Sequence, residues 1–312
     1  MSAARKGDLI GLGAMASAGF RAVSEYTGMV LGLFAVQAVM ALGAGLVIAR
    51  LLAAVFATRP VFDDAVDGDL VALFAVVRNA DILGAATLWI AVGAVLTWVV
   101  LSWFLGGGAL AVLTERPRGR RETARCFGAG GAGTYFAFLR IGLASGIAHI
   151  ALVLPAAIVG VSAVADRLER ALTLMDLLGS MVLALLPAAL LAAIIGAVMD
   201  YARAELTLRR PTHDHLGAAH AISRALVFVV RRPVAIGHVL LGWLAAAAVT
   251  GVYGWAAHGH PMYGPGGAVA LLVIRQGLSL VRMAIEVAVL GGQVELGQTR
   301  PPPPRRVVES TD

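Results

Sequence analysis

LLGSMVLALLPAALLAAIIGAVMD, residues 177–200, carries no charge until Asp200. As a helix those residues would extend about 36 Å, enough to cross a hydrocarbon layer roughly 30 Å thick. Five more apolar stretches of similar or greater length occupy 28–57, 83–113, 141–164, 234–257 and 266–292. Length and apolarity together predict an all-α polytopic membrane protein, with six transmembrane helices as three hairpins over residues 28–300. Segment 1–27 is expected as a cytoplasmic amphipathic helix, and 301–312 as a disordered Pro-rich cytoplasmic tail.

Composition agrees. Apolar residues make up 59% of the chain and charged residues 14%, against about 25% charged in soluble domains. Cys126 is the sole cysteine, so the chain has no internal disulfide. Arg outnumbers Lys 24 to 1, a bias that points to a GC-rich bacterial genome. The segment after Arg5 and Lys6 is Gly-rich and weakly apolar, and Arg21 and Glu25 follow it, so it does not read as a cleavable signal.

Charge sets the expected topology. Eighteen Lys and Arg fall in the segments on the side of the two termini, five toward the opposite side (Arg50 within the first stretch and four in the loops) and two within the sixth stretch. That asymmetry predicts an inner-membrane, multi-pass protein with both termini cytoplasmic. It also accounts for the isoelectric point near 10.2 without nucleic acid. Anionic lipid headgroups at the cytoplasmic face are the expected partners of the basic segments, together with a protein partner or a second copy of the chain.

The even stretches share an ending. Gly107-Gly108 precedes Arg116-Pro117, and Gly291-Gly292 precedes Arg300-Pro301 at the same spacing. Gly196 and Arg210-Pro211 form a looser middle version, with Glu205 and Glu295 equally far before their prolines. Each odd stretch follows a basic segment, most clearly Thr212 to Arg232. There His213, His220, Arg224 and Arg231 share one helical face and Ile222, Leu226, Val229 and Val230 another. Three units of interfacial helix, span and span are the resulting expectation. Gly28-x-x-x-Gly32 and Gly142-x-x-x-Gly146 suit close helix contact, and Pro155 and Pro187 suit kinks.

The candidate intramembrane polar site is a stripe on the sixth stretch: Arg275, Ser279, Arg282, Glu286 and Gln293 recur every three to four residues, apart from one gap. Unpaired charges there cost at least about 2.5–3.5 kcal/mol each on insertion scales. The stripe is therefore expected to face the bundle, with Arg282 and Glu286 paired across one turn. Asp200, Arg203 and Glu205 form a secondary cluster at the end of the fourth stretch, and His149 lies inside the third. The groups His213/His215/His220 and His258/His260 lack a recognised metal-site spacing, so no metal is expected. Gly128-x-Gly130-x-x-Gly133 matches the letters of a dinucleotide fingerprint but lacks the preceding strand, and reads as flexible interfacial backbone. No catalytic motif appears and no cofactor is expected.

Leu105-Gly106-Gly107-Gly108 before a basic segment, Tyr135-Phe136-Ala137-Phe138, and Asp200-Tyr201-Ala202-Arg203 carry a resemblance. The layout resembles a loose group of uncharacterised bacterial six-span proteins that includes the membrane domain fused to glycerophosphodiester phosphodiesterases. The resemblance implies a membrane domain of unassigned function; no phosphodiesterase domain is present, so that activity is not carried over. The leading expectation is a non-enzymatic protein that binds lipid, organises the membrane or supports a partner. The alternative is a small permease or transporter component with a path lined by the sixth stretch.

Overall fold

The computed structural model describes residues 11–56, 81–170, 174–209, 217–259 and 265–298. Among them every regular element is helical. Helix α1 (Leu12–Glu25) is followed by α2 (Thr27–Phe56), α3 (Asp81–Glu115) and α4 (Arg120–Ala148). A π-helical turn, His149–Val153, leads into α5 (Leu154–Ala163) and the short α6 (Ala165–Glu169). Then come α7 (Leu174–Arg209), α8 (Ala218–Arg231), α9 (Val234–Gly259) and α10 (Pro265–Gln298).

Five segments are long and apolar enough to cross a membrane: Thr27–Val47, Trp89–Glu115, Arg120–Ala163, Gly179–Leu208 and Val234–Trp255. The sixth expected span forms as α10, at 34 residues, but it is not among these five. Arg275, Arg282 and Glu286 dilute its apolar character. Large apolar side chains such as Val159, Val182, Leu244 and Trp255 stand exposed on the other helices. A water-facing surface would not tolerate so much exposed apolar area, whereas acyl chains do.

Two local features follow from proline chemistry. Pro155 has no N–H and its ring would strike the carbonyl four residues back. The helix widens just before it, and the Leu154 N–H reaches the His149 carbonyl, five residues back, as in a π-bulge. At the end of α3, Arg116 takes a left-handed φ of 51°, its N–H bonded to the Val112 carbonyl. Pro117 follows, so the helix cannot continue. That conformation costs a non-glycine residue about 1–2 kcal/mol.

Residues Leu31–Ser102 form one compact unit, and the chain on either side of them forms another. In the second unit α1 packs along α10, α8 along α7, α5 along α7 and α9 along α10. The start of α4 packs on the end of α3 through glycine: any side chain at Gly131 would strike the Phe104 carbonyl. The main buried cluster joins Met15, Ile141, Val198, Tyr201, Val229 and Leu296, from α1, α4, α7, α8 and α10.

Two readings of the sequence change. The basic, Gly-rich segment before the third apolar stretch is helix from Arg120, as the interfacial-helix expectation has it, and is continuous with that stretch. Gly130 lies inside it and is buried against α3, which replaces the flexible-backbone reading of Gly128, Gly130 and Gly133. On α8 the buried face is Ala221, Ala225, Phe228 and Val229, while Leu226 and Val230 are exposed and Arg224 turns inward. Small residues permit the close approach to α7, so the bulkier Leu226 and Val230 lie on the outer face.

Candidate functional site: the polar face of α10

At 3.6 residues per turn, Arg275, Ser279, Arg282, Glu286 and Gln293 lie within roughly 40° of one direction on α10. The structure treats the two ends of this face differently. Gln293 is fully buried, and its Nε2 donates to Oδ2 of Asp200 on α7 at 3.3 Å. Arg203 donates to the other oxygen, Oδ1, at 3.2 Å, and its guanidinium lies 6.0 Å from the ring centre of Phe138 on α4. Asp200 thus bridges two donors, one from its own helix and one from α10. The amide oxygen of Gln293 and the Nε of Arg203 are buried with no hydrogen-bond partner among the described residues. An unsatisfied buried group of this kind costs about 1–3 kcal/mol.

Beyond Gln293 the face is open. Arg275, Arg282 and Glu286 are exposed, and the Ser279 hydroxyl donates to the Arg275 carbonyl of its own helix. Val182 and Leu186 share the Asp200 direction on α7 and are also exposed, at 65% and 50%. The two helix faces therefore meet at Asp200–Gln293 and part beyond it. The expectation that the whole stripe faces the bundle holds at Gln293 alone. Helical periodicity aligned the residues, but α7 stands opposite only one end. Arg282 is the charge that acts on Glu286 one turn away, as expected, although no direct ion-pair contact between them occurs among the described residues.

The secondary candidates also separate. Asp200 and Arg203 join the cluster, but Glu205 points to α8 and pairs with Arg224 at 3.3 Å, with the Glu205 side chain only 7% exposed. His149 sits in the π-turn, its Nδ1 2.8 Å from the Ser145 carbonyl, apart from the cluster. His213 and His215 lie outside the described residues, and no group of metal-binding side chains occurs among those described.

Sequence reasoning passed over His238, which is buried and donates through Nε2 to the Val289 carbonyl at 3.2 Å. A lone histidine in an apolar stretch gave no pattern to detect. It also passed over Arg116, which bonds Glu295 at 3.0 Å. That pair borders a small cleft containing Arg21, Glu25 and Tyr26. Burial, then the nearby Glu25, push the Tyr26 phenol above its ordinary pKa, so it stays a neutral donor. The matching positions of Glu205 and Glu295 before their prolines were the available signal for both glutamate pairs.

No family model, curated protein or solved structure matches the chain.

Proposed function

We propose that this is a six-span inner-membrane protein with cytoplasmic termini, and that it binds membrane lipid by the phosphate headgroup along the open face of α10. The exposure of Arg275 and Arg282 on a long, largely apolar helix carries this reading. Arg275, with no acidic neighbour on its own helix, would cost about 2.5–3.5 kcal/mol uncompensated on insertion scales, and Arg282 has only the nearby Glu286 to offset it. A phosphate offers paired oxygens that match the planar donor fork of Arg, and phospholipid is the anion a bilayer supplies at every point of its surface. The two arginines are about 10 Å apart along the helix axis, so one headgroup contacts one of them at a time. Glu286, one turn from Arg282, favours headgroups that also carry an ammonium. No reaction is assigned to the site.

A permease is the second reading. The closure of α7 on α10 at Asp200, Arg203 and Gln293 favours it, because a polar lane sealed at one end is what a gated path requires. Native mass spectrometry separates the two. Lipid binding predicts that the purified protein carries phospholipid adducts that diminish at least tenfold in Arg275→Ala with Arg282→Ala. Adducts unchanged in that variant would remove the lipid reading.

A further inference from the structure

Two helix packings in this chain are copies of one another, residue for residue. A methyl added at Gly108 of α3 would stand 2.8 Å from the Phe127 carbonyl oxygen of α4; one at Gly292 of α10 would stand 2.9 Å from the Met15 carbonyl oxygen of α1. One at Gly107 would lie 3.4 Å from the Gly131 Cα and 3.5 Å from the Gly130 oxygen. One at Gly291 would lie 3.2 Å from the Gly19 Cα and 3.6 Å from the Ala18 oxygen. Gly107 also faces Thr134 as Gly291 faces Ala22, and Gly131 abuts the Phe104 carbonyl as Gly19 abuts that of Ala288. One constant shift relates every α3 position to its α10 counterpart, and another relates every α4 position to its α1 counterpart.

The packing of α8 on α7 fits the same scheme with larger residues. Shifting both helices alike carries Gly107–Thr134 onto Tyr201–Phe228, whose rings are 5.1 Å apart. The same shift carries Ala111–Gly130 onto Glu205–Arg224, the buried ion pair. It also carries Pro117 onto Pro211, and the α10 shift carries Pro117 onto Pro301. Chance repeats of an Arg-Pro dipeptide do not bring matched contacts on a second, separate helix.

We infer that the chain is three copies of one unit, interfacial helix, span and span, interlocked in a cycle. Each interfacial helix docks on the last span of the unit before it, and α1 closes the cycle by docking on α10. This does not rest on the lipid reading. It assigns Ala109, Arg203 and Gln293 to a single equivalent position of the three last spans. Two of them, with Asp200, make the polar cluster. That cluster is therefore where a repeated framework has been differentiated, and repeat junctions are where membrane proteins commonly hold their sites.

The test transplants the ion pair of the middle packing into the α1–α10 packing. Ala18 occupies the position of Arg224, Glu295 that of Glu205, and both line one cleft. Ala18→Arg is expected to melt within about 3 °C of wild type, and to fall by at least twice that shift when Glu295→Ala is also present. A loss of equal size with and without Glu295 overturns the inference. A second variant covers general intolerance at Ala18. Replacing Met15–Ala22 by the residues of Phe127–Thr134 in matched register should retain a cooperative melt, and the same graft displaced by one residue should not. Equal behaviour of the two grafts also overturns it.

Discussion

Removing Arg224 should cost more than removing Glu205, although they are partners in one ion pair. The charges lie 3.3 Å apart, with side chains 22% and 7% exposed. At an effective dielectric near 20 their attraction is about 5 kcal/mol, most of it offset by the desolvation of both groups. Truncating one partner leaves the other charge buried, typically at 3–5 kcal/mol. Arg224→Ala takes the arginine from Glu205, the more enclosed and shorter side chain, so a loss of about 3 kcal/mol is expected. Glu205→Ala takes the carboxylate from an arginine whose long stem can swing its head toward water, so about 2 kcal/mol is expected. The double variant should lose clearly less than the sum, because both single variants break the same contact. Equilibrium unfolding in mixed micelles measures all three. The Asp166–Arg170 pair, with both side chains more than 80% exposed, is the control and should show no measurable change. Equal losses from the two single variants, or a larger loss from Glu205→Ala, would refute the reasoning from burial.

Glycine substitutions should change sign with position. Gly13→Ala meets nothing and gains about 0.5–1 kcal/mol of helix stability, whereas Gly19→Ala drives a methyl into the Ala288 carbonyl and should lose about 1–3 kcal/mol. Thermal unfolding reads both. At the left-handed residue, Arg116→Gly should be neutral or slightly stabilising. Relief of about 1 kcal/mol of backbone strain offsets the loss of a largely exposed ion pair with Glu295. Arg116→Ala keeps the strain, loses the pair and should be the less stable of the two. Gln293→Met should stay within about 1 kcal/mol of wild type in the same assay, because the hydrogen bond it loses and the orphaned amide oxygen it removes nearly cancel. Gln293→Ala should lose at least 2 kcal/mol to the cavity.

Five of the six apolar stretches were legible as candidate spans because about 20 nearly uncharged residues admit few structures other than a spanning helix. Their ends were less so. Arg120 to Thr134 is basic and glycine-rich, which lowers helix propensity. Its helicity comes from glycines that let α4 lie against α3, a tertiary gain that local propensity does not contain. The polar stripe on α10 was legible as a direction. What stands opposite each residue depends on α7, and the partner of Gln293 lies 93 positions away. Arg224 shows the same limit: periodicity placed it on a polar face, but a buried glutamate on another helix draws it inward. Under the repeat inferred above, Glu205 and Glu295 mark equivalent positions of two packed helices, a correspondence their distance from the prolines already suggested.

Photo-crosslinking from the α10 face tests the lipid reading most directly. A photoreactive amino acid at position 279, between Arg275 and Arg282, is irradiated in native membranes and its adducts are identified by mass spectrometry. Headgroup binding predicts a phospholipid adduct that falls at least tenfold when Arg275 and Arg282 are both replaced by Ala. Crosslinks to another protein or to a second copy of the chain, with no phospholipid adduct, would contradict it.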